Sequence, residues 1–368
     1  MTATEVGTAV PASGSQASPA SGPAGTASPA PASGPAGTAS PARAPAPLAV
    51  ASSTPAAGSV GVDGTHPLTI TFNQPVGRAG PYPTISPAVP GGWSAAGDQL
   101  TFTPTGALPP ASRITVTVPP GLRAAAGAVL SRAETITFIT ASGSVLALDE
   151  ALARLHYLPL VFTPAGPVPD TPAARQRAVY RPPAGTFSWA WPSVPPALAA
   201  TWAEGRPTVM LKGAVMAFEA DRGLAVDGVA GPQVWAALDS TTRVDPHGYT
   251  YALASKTRPE SLTVWHDGSV VAHTAANTGI PQAPTADGTF TVYERLAHQV
   301  MRGINPDGSH YADPVSWVAY FNGGDAVHYM GRPSYGYPQS LGCVELPYRP
   351  AEAIWPYLTL GTLVTVTG

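Results

Sequence analysis

The decapeptide SGPAGTASPA occurs at 21–30 and again at 33–42, inside a stretch, 11–47, built almost wholly from Ala, Ser, Gly, Pro and Thr. Side chains this small bury too little apolar surface to offset the entropy of ordering a backbone. Residues 1–49 are therefore expected to form a disordered, partly polyproline-like tether, and every folded core must come from the rest of the chain.

That remainder still exceeds what one hydrophobic core ordinarily organises, so two to four domains are expected. Only 11% of the 368 residues are charged, and 44 prolines and 38 glycines punctuate the chain. This argues for a turn-rich, strand-rich fold with long linkers. The net charge of −3 supplies no basic stripe with which to neutralise phosphates, which excludes nucleic acid as an expected partner. No run reaches the ~20 apolar residues of a membrane-spanning helix. MTATEVGTAV lacks the basic and apolar regions of a secretory signal, so any export signal is expected outside this numbering or in unconventional form.

Hydrophobic periodicity divides the folded part. From 50 to 142, LTITF, QLTFTP, RITVTV and ETITFIT alternate with period two between Pro and Gly clusters, as in a small antiparallel sandwich. No ionisable cluster interrupts it, which suits a spacer. From 143 to 243 the period becomes helical in VLALDEALARLHYL (145–158) and LKGAVMAFEADRGL (211–224). Between them, 159–207 is Pro-rich, carries Trp, and is expected to be an insertion. Gly223 is the expected stop of the second helix, and Gly231-Pro232 the start of a third burying Val234, Trp235 and Leu238. From 248 to 368 strands return, with Asp267-Gly268 as a type I′ hairpin turn.

Cys343 is the only cysteine. It cannot form an intrachain disulfide or a thiolate-rich zinc site, so it is either an inert buried side chain or a nucleophile. Nucleophilic chemistry needs a base, and this region offers His266, His273, His298, His310 and His328. His266 precedes a turn and reads as solvated, His298 and His310 fall in polar, loop-like stretches, and His273 reads as half-buried. His328 ends the apolar run DAVHYM, from which the loop GRPSYGYPQS leads straight to the cysteine. No HExxH, CxxC or phosphate-binding glycine loop is present, so neither a metal nor an organic cofactor is expected.

Three segments resemble known families. Residues 50–142, with Asn73-Gln74-Pro75 after the LTITF strand, resemble bacterial Ig-like domains. GLAVDGVAGPQVWAAL resembles the three-helix peptidoglycan-binding domain of cell-wall enzymes. The order His, then Ser-x-Gly-Cys-Val, with PTADGTF and SHYADPVSWVAYFNGGDAVH upstream, resembles the YkuD-type catalytic domain of L,D-transpeptidases. The implied fold is multidomain and mainly β: a sandwich, a small helical unit and a β-rich catalytic domain.

The resemblance makes Cys343 the nucleophile and His328 its base, with the imidazole oriented by a backbone carbonyl, that of Tyr329. The amides of Gly342 and Cys343 would form the oxyanion hole, where glycine permits unusual dihedrals and close approach. Ser340, Tyr335, Tyr337, Glu345 and Arg332 are the candidate substrate-binding residues, and Tyr311 and Trp317 are aromatic residues expected to flank the cleft. The substrates implied are peptidoglycan stem peptides, as acyl donor and acceptor, joined in a 3→3 cross-link through a thioester. Carbapenems are expected to acylate Cys343. A monomer at the cell envelope or outside the cell, associated with the wall, is expected. The alternatives are an L,D-carboxypeptidase using the same pair, or a non-catalytic wall-binding protein. Leu341 and Glu345 depart from the family pattern, which has His at the first position and Arg or Asn at the second. Glu345 is expected either to form an ion pair with Arg332 or Arg349 or to bind a substrate ammonium.

Overall fold

The structure is a computed structural model that describes residues 46–77 and 80–368. Most of the expected tether, 1–45, lies outside the described residues. Its last four positions belong to the first domain. Leu48 is buried in the sandwich core, and the Asn73 side chain bonds Ala49 N and Pro47 O, both at 3.0 Å. Composition assigned Leu48 to the tether, but its side chain has a core to enter.

Among the described residues the first domain has seven strands: β1 (Val50–Thr54), β2 (Leu68–Phe72), β3 (Thr84–Ser86), β4 (Gly91–Ala96), β5 (Gln99–Pro104), β6 (Arg113–Val118) and β7 (Glu134–Ile139). They form a four-stranded sheet, β1-β2-β5-β4, and a three-stranded sheet, β3-β6-β7. Alternation decides the inner faces: Leu68, Ile70 and Phe72 point inward from β2, and Ile114, Val116 and Val118 from β6.

The helical region opens with α1 (Val145–Arg154), four residues shorter than the periodic run. Pro159 disfavours helical backbone at Leu158, and His156 turns left-handed at φ 64°. Leu155, Tyr157 and Leu158 stay buried regardless. The Pro-rich insertion has structure of its own: β8 (Leu160–Pro164) pairs with β9 (Gly185–Trp189), α2 (Pro172–Ala178) lies in the connection between them, and α3 (Pro196–Ala199) follows. It braces the sandwich through Tyr180 Oη to Leu108 O, 2.9 Å, and Arg181 to Asp63, 3.2 Å.

Helix α4 (Val209–Arg222) starts at the Thr208 cap and ends at left-handed Gly223; α5 (Pro232–Ser240) begins with Pro232 at its first position. The core they form also takes Tyr251 and Leu363 from the last domain. The junction is close. A side chain on Gly213 of α4 would meet the Gly361 carbonyl, and one on Gly361 would meet the Gly213 carbonyl. Two glycines are needed for these backbones to touch.

The last domain packs two sheets over one core. The first, β12-β11-β10-β18-β13, contains β10 (Thr250–Ser255), β11 (Ser261–His266), β12 (Ser269–Ala275), β13 (Gly288–Thr291) and β18 (Leu363–Thr367). Asp267 and Gly268 both have positive φ, 46° and 79°, as a type I′ turn requires. The second sheet, in chain order, is β14 (Glu294–Ile304), β15 (His310–Asn322), β16 (Asp325–Tyr329) and β17 (Val344–Leu346). Helix α6 (Tyr348–Ile354) follows β17. His298 and His310, read as loop residues, lie in the long β14–β15 hairpin. Among the described residues no helix is long and apolar enough to cross a membrane.

Candidate active site

Strands β16 and β17 run parallel, with Val327 opposite Val344, His328 opposite Glu345 and Tyr329 opposite Leu346. Because side chains alternate along a strand, Val327, Val344 and Leu346 enter the core, and Ala326, His328, Cys343 and Glu345 share the opposite face. The β14–β15 hairpin projects Met301, Val315 and Tyr320 over that face. A cleft of about 590 Å³ results, lined by Cys343, His328, Glu345, Arg332, Ser340, Leu341 and Tyr311 among others. Of the five histidines in this domain only His328 lines it.

His328 is 3% exposed, and its Nδ1 lies 2.9 Å from the Tyr329 carbonyl. A carbonyl can only accept, so Nδ1 carries the proton and Nε2 keeps its lone pair. Burial pushes the imidazole pKa down, against the opposing effects of the Tyr329 hydrogen bond and Glu345. The ring is neutral at neutral pH.

Burial also pushes the Cys343 thiol up to about 12, aided by Asp325 and Glu345 and opposed by the Ala326 N–H. At rest the sulfur is a thiol, its Sγ donating to Gly324 O at 3.8 Å. The cleft therefore holds a protonated sulfur and an unprotonated imidazole nitrogen, an arrangement suited to proton transfer as attack occurs rather than before it.

The loop before Cys343 is fixed by its own backbone. Ser340 is buried, donates to Cys343 O at 2.6 Å and accepts from Gly342 N at 3.2 Å. Gly342 has φ 121°, and a side chain there would collide with the Asp325 carboxylate. Main-chain bonds from Ile280 N to Ser340 O, 2.9 Å, and between Asn277 and Glu345, 3.0 and 2.9 Å, anchor this stretch on both sides.

Glu345 pairs with Arg332 and not with Arg349, which instead meets Glu352 at 3.1 Å. The guanidinium is bidentate, Nε to Oε2 at 2.8 Å and Nη2 to Oε1 at 2.6 Å, so both carboxylate oxygens are engaged. Tyr335 and Tyr337 are not among the residues lining the cleft. Tyr335 Oη bonds Met330 O at 2.5 Å and Tyr337 Oη meets Ser334 Oγ at 2.7 Å, so both brace the loop. Trp317, with φ 58° at a bulge, turns toward Tyr348 and Trp355 and away from the cleft. His266, read as solvated, is partly covered by Tyr357 at 4.8 Å and meets Thr250 Oγ1 at 3.1 Å.

Sequence reasoning missed Asp325, Gln299 and Met301 of the cleft wall. The signal was present in Asn305-Pro306-Asp307-Gly308, a turn between two alternating runs, which closes with Asn305 N to Ser309 O at 2.7 Å. Among the described residues no three of His, Cys, Asp and Glu are grouped as metal ligands would be.

Comparison with known proteins gives three family matches. Residues 249–366 match the family described as the L,D-transpeptidase catalytic domain, YkuD. The C-terminal domain belongs to that family. Residues 203–238 match a putative peptidoglycan binding domain, and residues 44–140 a bacterial Ig-like domain. An L,D-transpeptidase of Mycobacterium smegmatis is similar at 17% identity, with 88% of this chain and 100% of that chain covered and a TM-score of 0.31. L,D-transpeptidase 3 of Mycobacterium tuberculosis is similar at 16% identity, with 87% and 99% covered and a TM-score of 0.30. The catalytic domain of an E. faecium L,D-transpeptidase is 26% identical over 32% of this chain and 96% of its own, with a TM-score of 0.30. No curated protein matches. The YkuD match, beside the match to a putative peptidoglycan-binding domain, supports L,D-transpeptidase activity on a peptidoglycan substrate and association with the cell wall.

Proposed function

We propose that the L,D-transpeptidase domain works through a thioester on Cys343 and joins peptidoglycan stem peptides in a 3→3 cross-link. The observation that carries this is the placement of His328 and Cys343 on one face of one cleft, with Nδ1 of His328 held by the Tyr329 carbonyl and Nε2 left as a base.

His328 Nε2 takes the thiol proton as sulfur attacks the carbonyl between the third residue of a tetrapeptide stem and its terminal D-Ala. The developing oxyanion is met by the Cys343 and Gly342 amides, the latter exchanging its 3.2 Å contact with Ser340 for the stronger acceptor. The C–N bond breaks, His328 returns the proton to the departing D-Ala nitrogen, and the thioester remains. The side-chain amine of a second stem then attacks the thioester carbon, and the sulfur leaves and recovers its proton. Neutral partners at rest suit this order, since the charged pair forms only as the C–S bond does.

The Ig-like domain serves as a spacer and the helical domain as a wall-positioning unit for this cleft. The protein is proposed to act as a monomer outside the cytoplasm. Incubation with disaccharide-tetrapeptide alone tests the reaction. The expected product is a cross-linked dimer with release of D-Ala. Tripeptide without dimer would assign water as the acceptor and a carboxypeptidase activity, and no product at all would leave only a wall-binding role.

A further inference from the structure

Two carboxylates flank Cys343, and they are treated differently. Glu345 is neutralised by Arg332. Asp325 lines the cleft, abuts Gly342, and among the described residues accepts hydrogen bonds from Asn322 Nδ2 at 3.4 Å and the Ala286 N–H. None of the ion pairs among the described residues includes it. Next to it in the same turn, the Gly324 carbonyl faces the sulfur.

An unpaired anion beside a forming oxyanion opposes the chemistry unless a cation joins it. The two groups that converge on the sulfur from this turn, a carboxylate and a carbonyl, only accept hydrogen bonds. Their complement is a group with several N–H donors and a positive charge. Water supplies no charge, and a primary ammonium supplies both.

We propose that Asp325, with the Gly324 carbonyl, binds the side-chain ammonium of the acceptor stem and sets the partition of the acyl-enzyme between amine and water. This rests on Cys343 being the acyl carrier. The bound ammonium gives one proton to Asp325 and thence to solvent. The freed amine attacks the thioester carbon, the C–N bond forms as the C–S bond breaks, and a second amine proton passes through His328 to the sulfur. The third stays on the new amide nitrogen.

The test uses the full chain and its Asp325→Asn variant. Acylation by a carbapenem is followed by intact mass, and dimer and tripeptide are then measured from disaccharide-tetrapeptide at rising acceptor concentration. The variant should acylate at least as fast as the parent, because an anion next to the thiol is gone. Its ratio of dimer to tripeptide should fall roughly tenfold or more, the size of one lost charge-assisted hydrogen bond. An unchanged ratio in a variant that acylates would overturn the proposal while leaving the thioester reading intact. A parent chain that never acylates would overturn both. Should Asp325→Asn fail to acylate, Asp325→Ser keeps a polar side chain without the charge and is read by the same ratio, and failure of both to acylate would assign Asp325 to the fold and overturn the proposal.

Discussion

Arg332 grips Glu345 through Nε and Nη2, at 2.8 and 2.6 Å, and so joins the loop after β16 to the strand that follows the cysteine. Glu345 is almost fully buried and Arg332 mostly so. Removing one partner of such a pair typically costs about 3–5 kcal/mol, because the other charge is left behind. The two deletions should differ. Arg332→Met strands a buried carboxylate beside Cys343, so it should lower stability and slow thiol alkylation. Glu345→Gln leaves a cation that reaches solvent, so it should cost less and speed alkylation. Chemical denaturation and iodoacetamide rates check both signs, and equal effects would mean the pair is not coupled to the thiol.

Alkylation of Cys343 should have an unusual pH profile. Burial holds the thiol near 12, whereas an ordinary thiol ionises at about 8.5. The rate should keep rising about tenfold per pH unit through pH 10. A plateau near pH 9 would mean that the thiolate is stabilised in the folded protein.

The helical region and the link that follows it carry several carboxyls whose pKa values are raised by burial: Asp149 and Asp245 to about 6, Glu150 and Glu219 to about 7. Unfolded, such groups ionise near 4. Between these values the folded chain holds more protons than the unfolded one, so stability falls as pH rises from about 4 to 7. The melting temperature should be higher at pH 5 than at pH 7.5, and Glu150→Gln should shrink the difference. A melting temperature that rises with pH across this window would contradict the burial of these groups.

Helix propensity and packing predict opposite signs for Gly213→Ala. Alanine is favoured over glycine inside a helix by about 0.8–1 kcal/mol, yet the added methyl meets the Gly361 carbonyl. Packing should win, with a net loss of about 1–3 kcal/mol measured by denaturation. A more stable variant would show that the helical and catalytic domains are not locked backbone to backbone.

Legibility in the sequence followed the range of the physics involved. Period-two alternation in LTITF and RITVTV reports which face is inward, and those strands lie where the pattern puts them. Gly223 and Pro232 are local stops and starts, and both hold. The bidentate choice of Arg332 over Arg349 was beyond sequence, because the parallel pairing of β16 with β17 decides which arginine reaches Glu345. Asp325 escaped notice for the same reason: only the turn between β15 and β16 brings it to Gly342. Tyr335 and Tyr337 sit close to the cysteine in the chain, but chain proximity did not put them on the cleft wall.

The central claim is that Cys343, served by His328, carries the acyl group. Intact mass after exposure to a carbapenem tests it most directly. One covalent adduct per chain is predicted, absent in Cys343→Ala and formed at least ~100-fold more slowly in His328→Ala, as expected when a general base is lost. An adduct that survives Cys343→Ala, or the lack of any adduct on the intact chain, would contradict the account.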